Sequence, residues 1–118
     1  MAFKRLGADS ALPPFVTFYV RPNGSRQVRL SSGAFSRIGQ PRALHVEWDD
    51  DESLTRFAAA NPDDPDAYRL SPGIFKGLSV TELLFALGVV IPETARVNAV
   101  PDGPTAIIVD LSEYRSHP

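Results

Sequence analysis

The chain repeats itself. Arg29 to Phe35 reads RLSSGAF and Arg69 to Phe75 reads RLSPGIF, with five of seven positions identical. Each copy runs on to a short apolar helix closed by glycine, at Ile38-Gly39 and at Leu87-Gly88, with a proline two or four residues later and a hairpin-like stretch beyond it. The second helix-glycine junction lies 49 residues after the first, so the later copy holds nine extra residues between the shared opening and the shared close. Two related half-modules around one core are the arrangement this predicts.

A chain of 118 residues with 43% apolar content fits one domain and can build a core without staples. The absence of cysteine excludes a disulfide scaffold, a thiolate nucleophile and Cys-ligated metal. Leu83 to Ile91, the longest apolar stretch, is too short to span a bilayer, and Met1 to Leu12 lacks the apolar block of a signal peptide, so no membrane association and a cytoplasmic address are expected. Ten arginines against two lysines, with abundant Ala and Pro, fit the codon usage of a high-GC bacterial or phage genome. Charge is divided unevenly. Residues 1–42 carry seven basic side chains against Asp9 alone, net +6, and residues 43–118 carry five basic and thirteen acidic, net −8. Such a chain can offer a cationic face to an anionic partner while remaining soluble, or its halves can neutralise each other within a monomer or across a dimer.

Residues 1–14 end in Pro13-Pro14, show no periodicity and are expected to form a flexible arm. The β-branched and aromatic run within Phe15 to Arg21 predicts a strand, Pro22-Asn23-Gly24 a turn, and Arg26 to Leu30 the returning strand. Ser31 or Ser32 can cap a short helix carrying Ala34, Phe35 and Ile38, with Gly39 as its left-handed stop. Ala43 to Trp48 alternates as a strand with Leu44, Val46 and Trp48 on one face, and Asp49 to Glu52 turns it into Ser53 to Phe57. Four consecutive carboxylates require solvent or a cation at that tip. Residues 58–66 read as a linker, and Ala67 to Leu70 as a short strand. Ser79 and Glu82 have the spacing of a capping box ahead of a helix containing Leu83, Leu84, Phe85 and Leu87 and ending at Gly88. That apolar stripe is wider than one helical face, which predicts burial on two sides, one of them a dimer contact. A hairpin over Glu93 to Val100 and Thr105 to Leu111 follows, with residues 112–118 as a frayed tail. The expected architecture is therefore α+β, mainly β: a single domain over 15–111 made of two pseudo-repeated modules, 15–57 and 67–111, each with strand, short helix and hairpin.

Strand, glycine-containing turn, strand, short helix closed by an apolar residue and glycine, then a second hairpin: over Asn23 to Phe57, NGSRQVRLSSGAFSRIGQPRALHVEWDDDESLTRF, this order resembles the swapped-hairpin DNA-binding fold of the AbrB and SpoVT transition-state regulators. The resemblance is good over 16–57 and looser over 68–111, where two halves in one chain would follow the MraZ-like plan. It implies a homodimer that binds double-stranded DNA in a regulatory or nucleoid-associated role. Two departures stand against it: the second half lacks a basic hairpin, and Ser31-Ser32 replaces the proline expected ahead of the first helix. On this resemblance the first half would carry the DNA contacts.

The candidate DNA-binding residues are Arg21, Arg26, Arg29, Arg37 and Arg42, with Lys4 and Arg5 on the arm. Strand alternation puts Gln27 and Arg29 on the face opposite Val28 and Leu30, and the turn brings Arg21 and Arg26 near. Guanidinium groups there can fork onto phosphates or guanine edges. The alternative is that they solvate the sheet and pair with Asp49, Asp50, Asp51 and Glu52. Trp48, Tyr19, Phe18 and Phe57 can form either a stacking platform for single-stranded nucleic acid or core. His45 and His117 have no metal-ligand spacing, Ser31, Ser32 and Ser79 have no triad partners, and the Asp run lacks the ligand pattern of a calcium loop. No cofactor and no enzymatic activity are expected. The rival to DNA binding is a protein-interaction module, of the kind a phage factor uses on a host protein, resting on the acidic second half.

Overall fold

The computed structural model describes residues 13–70 and 77–115. Strand β1, Phe15–Val20, returns as β2, Arg26–Leu30, through a turn in which Gly24 takes φ +87° and the Asn23 side chain accepts from the Ser25 backbone at 3.0 Å. Their register pairs Val16 with Leu30 and Phe18 with Val28, all four buried, so this face is core. Helix α1, Ser32–Arg37, follows at once because Ser31 Oγ accepts from the Ala34 amide at 3.1 Å. The same oxygen accepts from the Phe15 amide at 3.1 Å, tying the helix start to the first strand.

Strands β3, Ala43–Asp49, and β4, Leu54–Ala60, form the second hairpin, and β4 outlasts its expected end by three residues. The connection between the halves therefore begins at Asn61 rather than at residue 58. Two-residue β5, Tyr68–Arg69, borders β3, and β6, Gly77–Ser79, borders β2. After α2, Thr81–Leu87, come β7, Ala95–Pro101, and β8, Ala106–Asp110. All pairs are antiparallel, in the order β5-β3-β4-β8-β7-β1-β2-β6, an α+β, mainly β architecture.

β7 makes this one sheet. Ala95 to Asn98 pair with β1, and Ala99 to Pro101 pair with β8. The sheet curls about that strand, and the inner faces of both groups of strands meet in one hydrophobic cluster that includes Phe18, Val28, Ile38, Leu44, Phe57, Leu84, Ile107 and Leu111. The helices contribute Ala34 and Leu84 to it, with Ile38 at the end of α1, and Gly39 and Gly88 stop them with φ of +86° and +70°.

Several expectations need correction. The capping box at α2 does not form: Val80 holds the N-cap position without a side-chain hydrogen bond, and Ser79 ends β6. The helix start is fixed from across the sheet instead. Thr81 Oγ1 accepts from the Arg26 amide at 2.7 Å and donates to the Arg26 carbonyl at 3.2 Å. Of the tail, Ser112–Tyr114 forms a 3₁₀ turn, Arg115 bridges to Val89, and the Tyr114 carbonyl accepts from Val90 at 2.7 Å. The α2 stripe faces two ways: Leu84 is buried, Leu83 and Leu87 pack against the core, and Phe85 stands 87% exposed in the single chain. Most of the expected arm, the repeat from Ser71 to Phe75 and residues 116–118 lie outside the described residues. Among the described residues, no helix is long and apolar enough to cross a membrane.

Candidate nucleic-acid interface

The outer face of β1, β2 and the first half of β7 is set by alternation: residues flanking the buried Val16, Phe18, Val28 and Leu30 turn away from the core. On β1 these are Phe15, Thr17 and Tyr19, all half-buried; on β2, Gln27 and Arg29; on β7, Arg96 and Asn98. Thr17 lies in register between Arg29 and Arg96, so the two arginine Cα atoms flank it across three strands, about 10 Å apart. The Arg96 guanidinium rests over the Phe15 ring at 4.0 Å from its centroid. Arg21 extends the row by donating to Gln27 Oε1 at 2.7 Å. Neither Arg21 nor Arg96 forms an ion pair among the described residues. β1, β2, β6 and β7 contain no Asp or Glu, so every charged side chain of these strands is an arginine.

The arginines expected to act together are therefore only partly gathered. Arg21 and Arg29 share the outer face. Arg26 shares the inner side with Val28: its Nε donates to the Ile91 carbonyl at 3.0 Å and its NH1 to the Gly24 carbonyl, which makes it a brace between the first hairpin and the segment after α2. Arg37 is exposed in the last turn of α1, which packs on the inner face, and there it complements the helix dipole. Arg42 is exposed just ahead of β3, its carbonyl accepting from Leu70 at 3.0 Å. Lys4 and Arg5 lie outside the described residues. The sequence does not single out Arg96, because its partner strand β1 lies about eighty residues away and only the alternation of Ala95, Val97 and Ala99 marks its face.

The repeat arginines occupy different surroundings. Arg29 stands in β2 between two strands, whereas Arg69 stands in the outermost strand β5 and donates to the Pro62 carbonyl at 3.2 Å. Trp48, Phe18 and Phe57 belong to the core or pack against it, which leaves Tyr19 as the one member of the expected aromatic platform on the outer face.

The outer face of β3, β4 and β8 has the opposite character. Glu47, Asp49 and Asp110 project there with Arg56, which Glu47 grips through both oxygens at 2.9 and 3.1 Å and Asp102 binds at 3.0 Å. These carboxylates, Asp102 first, raise the Arg56 pKa above its ordinary value. The Asp110 carboxylate accepts from the Ser112 amide at 2.9 Å, and that bond lowers its pKa. A hollow of about 250 Å³ opens between Glu47, Trp48, Asp49, Leu54, Arg56 and Ile108. The acidic turn after β3 is met by Arg115, which reaches Asp50 and donates to Ser53 Oγ at 3.2 Å. His45 Nε2 lies 3.2 Å from Asp64. Among the described residues, no three His, Asp or Glu side chains gather closely enough to hold a metal ion. No protein-family model, no curated protein and no solved structure matches the chain.

Proposed function

We propose that the chain binds nucleic acid, double-stranded DNA in a regulatory or nucleoid-associated role, through the outer face of β1, β2 and β7. One observation carries the reading: Arg21, Arg29 and Arg96 share a sheet face whose strands contain no carboxylate. Arginines so arranged neutralise phosphates and release counterions, whatever the base sequence. The likeness to the swapped-hairpin regulators supports the same reading through the order of hairpin, capped helix and hairpin over 16–57. A common origin of the two half-modules is part of it. The exposed Phe85 and Val90, 87% and 56% accessible, supply apolar area for the homodimer that this family plan implies, and a dimer would double the arginines offered to one duplex.

The test is a salt titration of the protein against fluorescent duplex DNA. Binding should fall steeply with salt, and the double variant R29A/R96A should weaken it and lower the slope of log affinity against log salt by about 2. R26A should reduce thermal stability and leave that slope unchanged. A slope unaltered in R29A/R96A would remove this face from consideration.

The acidic outer face of β3, β4 and β8, with its hollow, favours a second reading, a protein-interaction module that takes a basic partner. Specific capture of one protein from nuclease-treated lysate, abolished by E47K/D49K, would support it.

A further inference from the structure

Duplex DNA is read by elements that enter a groove, usually a helix or a two-stranded ribbon. The arginine face is neither. It is the broad side of three adjacent antiparallel strands, and it carries aromatic rings as well as cations. Along β1 the outward positions are Phe15, Thr17 and Tyr19, spaced two residues apart, so the rings of Phe15 and Tyr19 start from Cα atoms about 14 Å apart. Phe15 is already half of a stack, its ring covered by the Arg96 guanidinium at 4.0 Å. Arg96 itself is exposed, and Tyr19, half-buried, stands opposite Gln27 in register.

From this placement we infer that the face takes an unpaired strand in preference to a duplex, with one base stacking on Tyr19, another on the Arg96–Phe15 pile, a phosphate between them at Arg29, and the next phosphate, beyond Tyr19, at Arg21. Unstacked bases lie on aromatic rings and guanidinium planes, and such contacts are available only when the bases are not already paired within a helix. The amide side chains of Gln27 and Asn98, one on each side of β1, are donors and acceptors suited to exposed base edges. Thr17, small and central, leaves the sheet open between the two stacking positions. This inference rests on the proposed nucleic-acid reading of this face and departs from it in one respect, naming an unpaired strand rather than a duplex as the preferred ligand. A duplex would be held by phosphate contacts alone, and a single strand by phosphates and stacking together.

The experiment measures affinity for a fluorescent single-stranded oligonucleotide and for the duplex of the same sequence, in the intact protein and in Tyr19→Ala and Tyr19→Leu. Two replacements are used so that one folded variant suffices, with emission of the lone Trp48 checking the fold of each. The expected result is tighter binding of the single strand, with the ratio of single-strand to duplex affinity falling about tenfold when the ring is lost. A duplex bound as tightly as the single strand, or a ratio unmoved by either variant, would overturn the inference while leaving salt-dependent duplex binding by the arginines intact. Failure of both ligands to bind at low salt would overturn the inference and the proposed function together.

Discussion

At the scale of single residues, alternation decides more than residue type. Arg26 and Arg29 are three positions apart on β2, yet one braces two backbone carbonyls on the inner side and the other stands on the cationic face. Alternation in RQVRL legibly groups Arg26 with Val28, but nothing in the sequence announces that the Ile91 carbonyl lies within reach of its Nε. Thr55 is the reverse case, a polar residue on the inner side. It is 4% exposed, pairs with Trp48 on β3 and Val109 on β8, and its hydroxyl has no hydrogen-bond partner among the described residues. A buried hydroxyl without a partner retains its desolvation cost, so Thr55→Val, nearly identical in shape, should stabilise the fold by about 1 kcal/mol, read as a rise in melting temperature. Asp110 offers a pH test at the same scale. Its carboxylate accepts the Ser112 amide, so its folded pKa lies below the unfolded value of 3.8. The stability it contributes is present above that value and is lost as pH falls through the lower folded pKa. Asp110→Asn keeps the acceptor and removes the titration, so the difference in melting temperature between pH 7 and pH 3 should shrink in the variant.

At the scale of elements, local signals were reliable where the chain satisfies itself locally. The Asn23-Gly24 turn, the Ser31 cap and the Gly39 and Gly88 stops each depend on a residue whose own chemistry does the work, and each stands where the sequence puts it. The α2 start shows the limit. Ser79 and Glu82 have capping-box spacing, but Ser79 is recruited into β6 beside Gln27, and Thr81 secures the helix by bonding to the Arg26 backbone 55 residues away. Pairing across the sheet outweighs a cap, and no window of sequence around α2 contains that partner. The same helix separates two neighbouring apolar residues cleanly. Leu84 is 5% exposed within the core and Phe85 is 87% exposed. Leu84→Ala should therefore cost about 2–5 kcal/mol through the lost burial and the cavity left behind, whereas Phe85→Ser should change the stability of the monomer by no more than about 0.5 kcal/mol. Chemical denaturation of the two variants measures both. A large loss in Phe85→Ser that grows with protein concentration would instead reveal that Phe85 is covered by a second copy.

At the scale of the molecule, the two groups of strands are joined through β7, and that connection was the least legible part of the chain. The hairpin of β7 and β8 is visible in the sequence, yet the pairing of Ala95 to Asn98 with β1 joins segments about eighty residues apart and places Arg96 across Thr17 from Arg29. The charge division in the sequence thus becomes a division between outer faces only after one residue of the acidic half has crossed to the cationic side. The same connection has an energetic consequence. Ala99 is where β7 changes partner: its amide donates to the Pro14 carbonyl at 3.1 Å while the residue pairs in register with Val109. Because the inner faces on both sides of this point contribute to one core cluster, neither group of strands can lose its packing without exposing the other's. Unfolding should therefore be a single cooperative transition. Trp48, on β3, reports one side of the molecule by fluorescence, and far-UV circular dichroism reports all strands. The two denaturation curves should coincide. Ala99→Pro removes the amide that β7 gives to the Pro14 carbonyl and should shift both curves together to lower denaturant. If Trp48 instead kept its midpoint while part of the dichroism signal melted early, β3, β4 and β8 would be a unit stable without β1 and β2, and the coupling through β7 would be refuted.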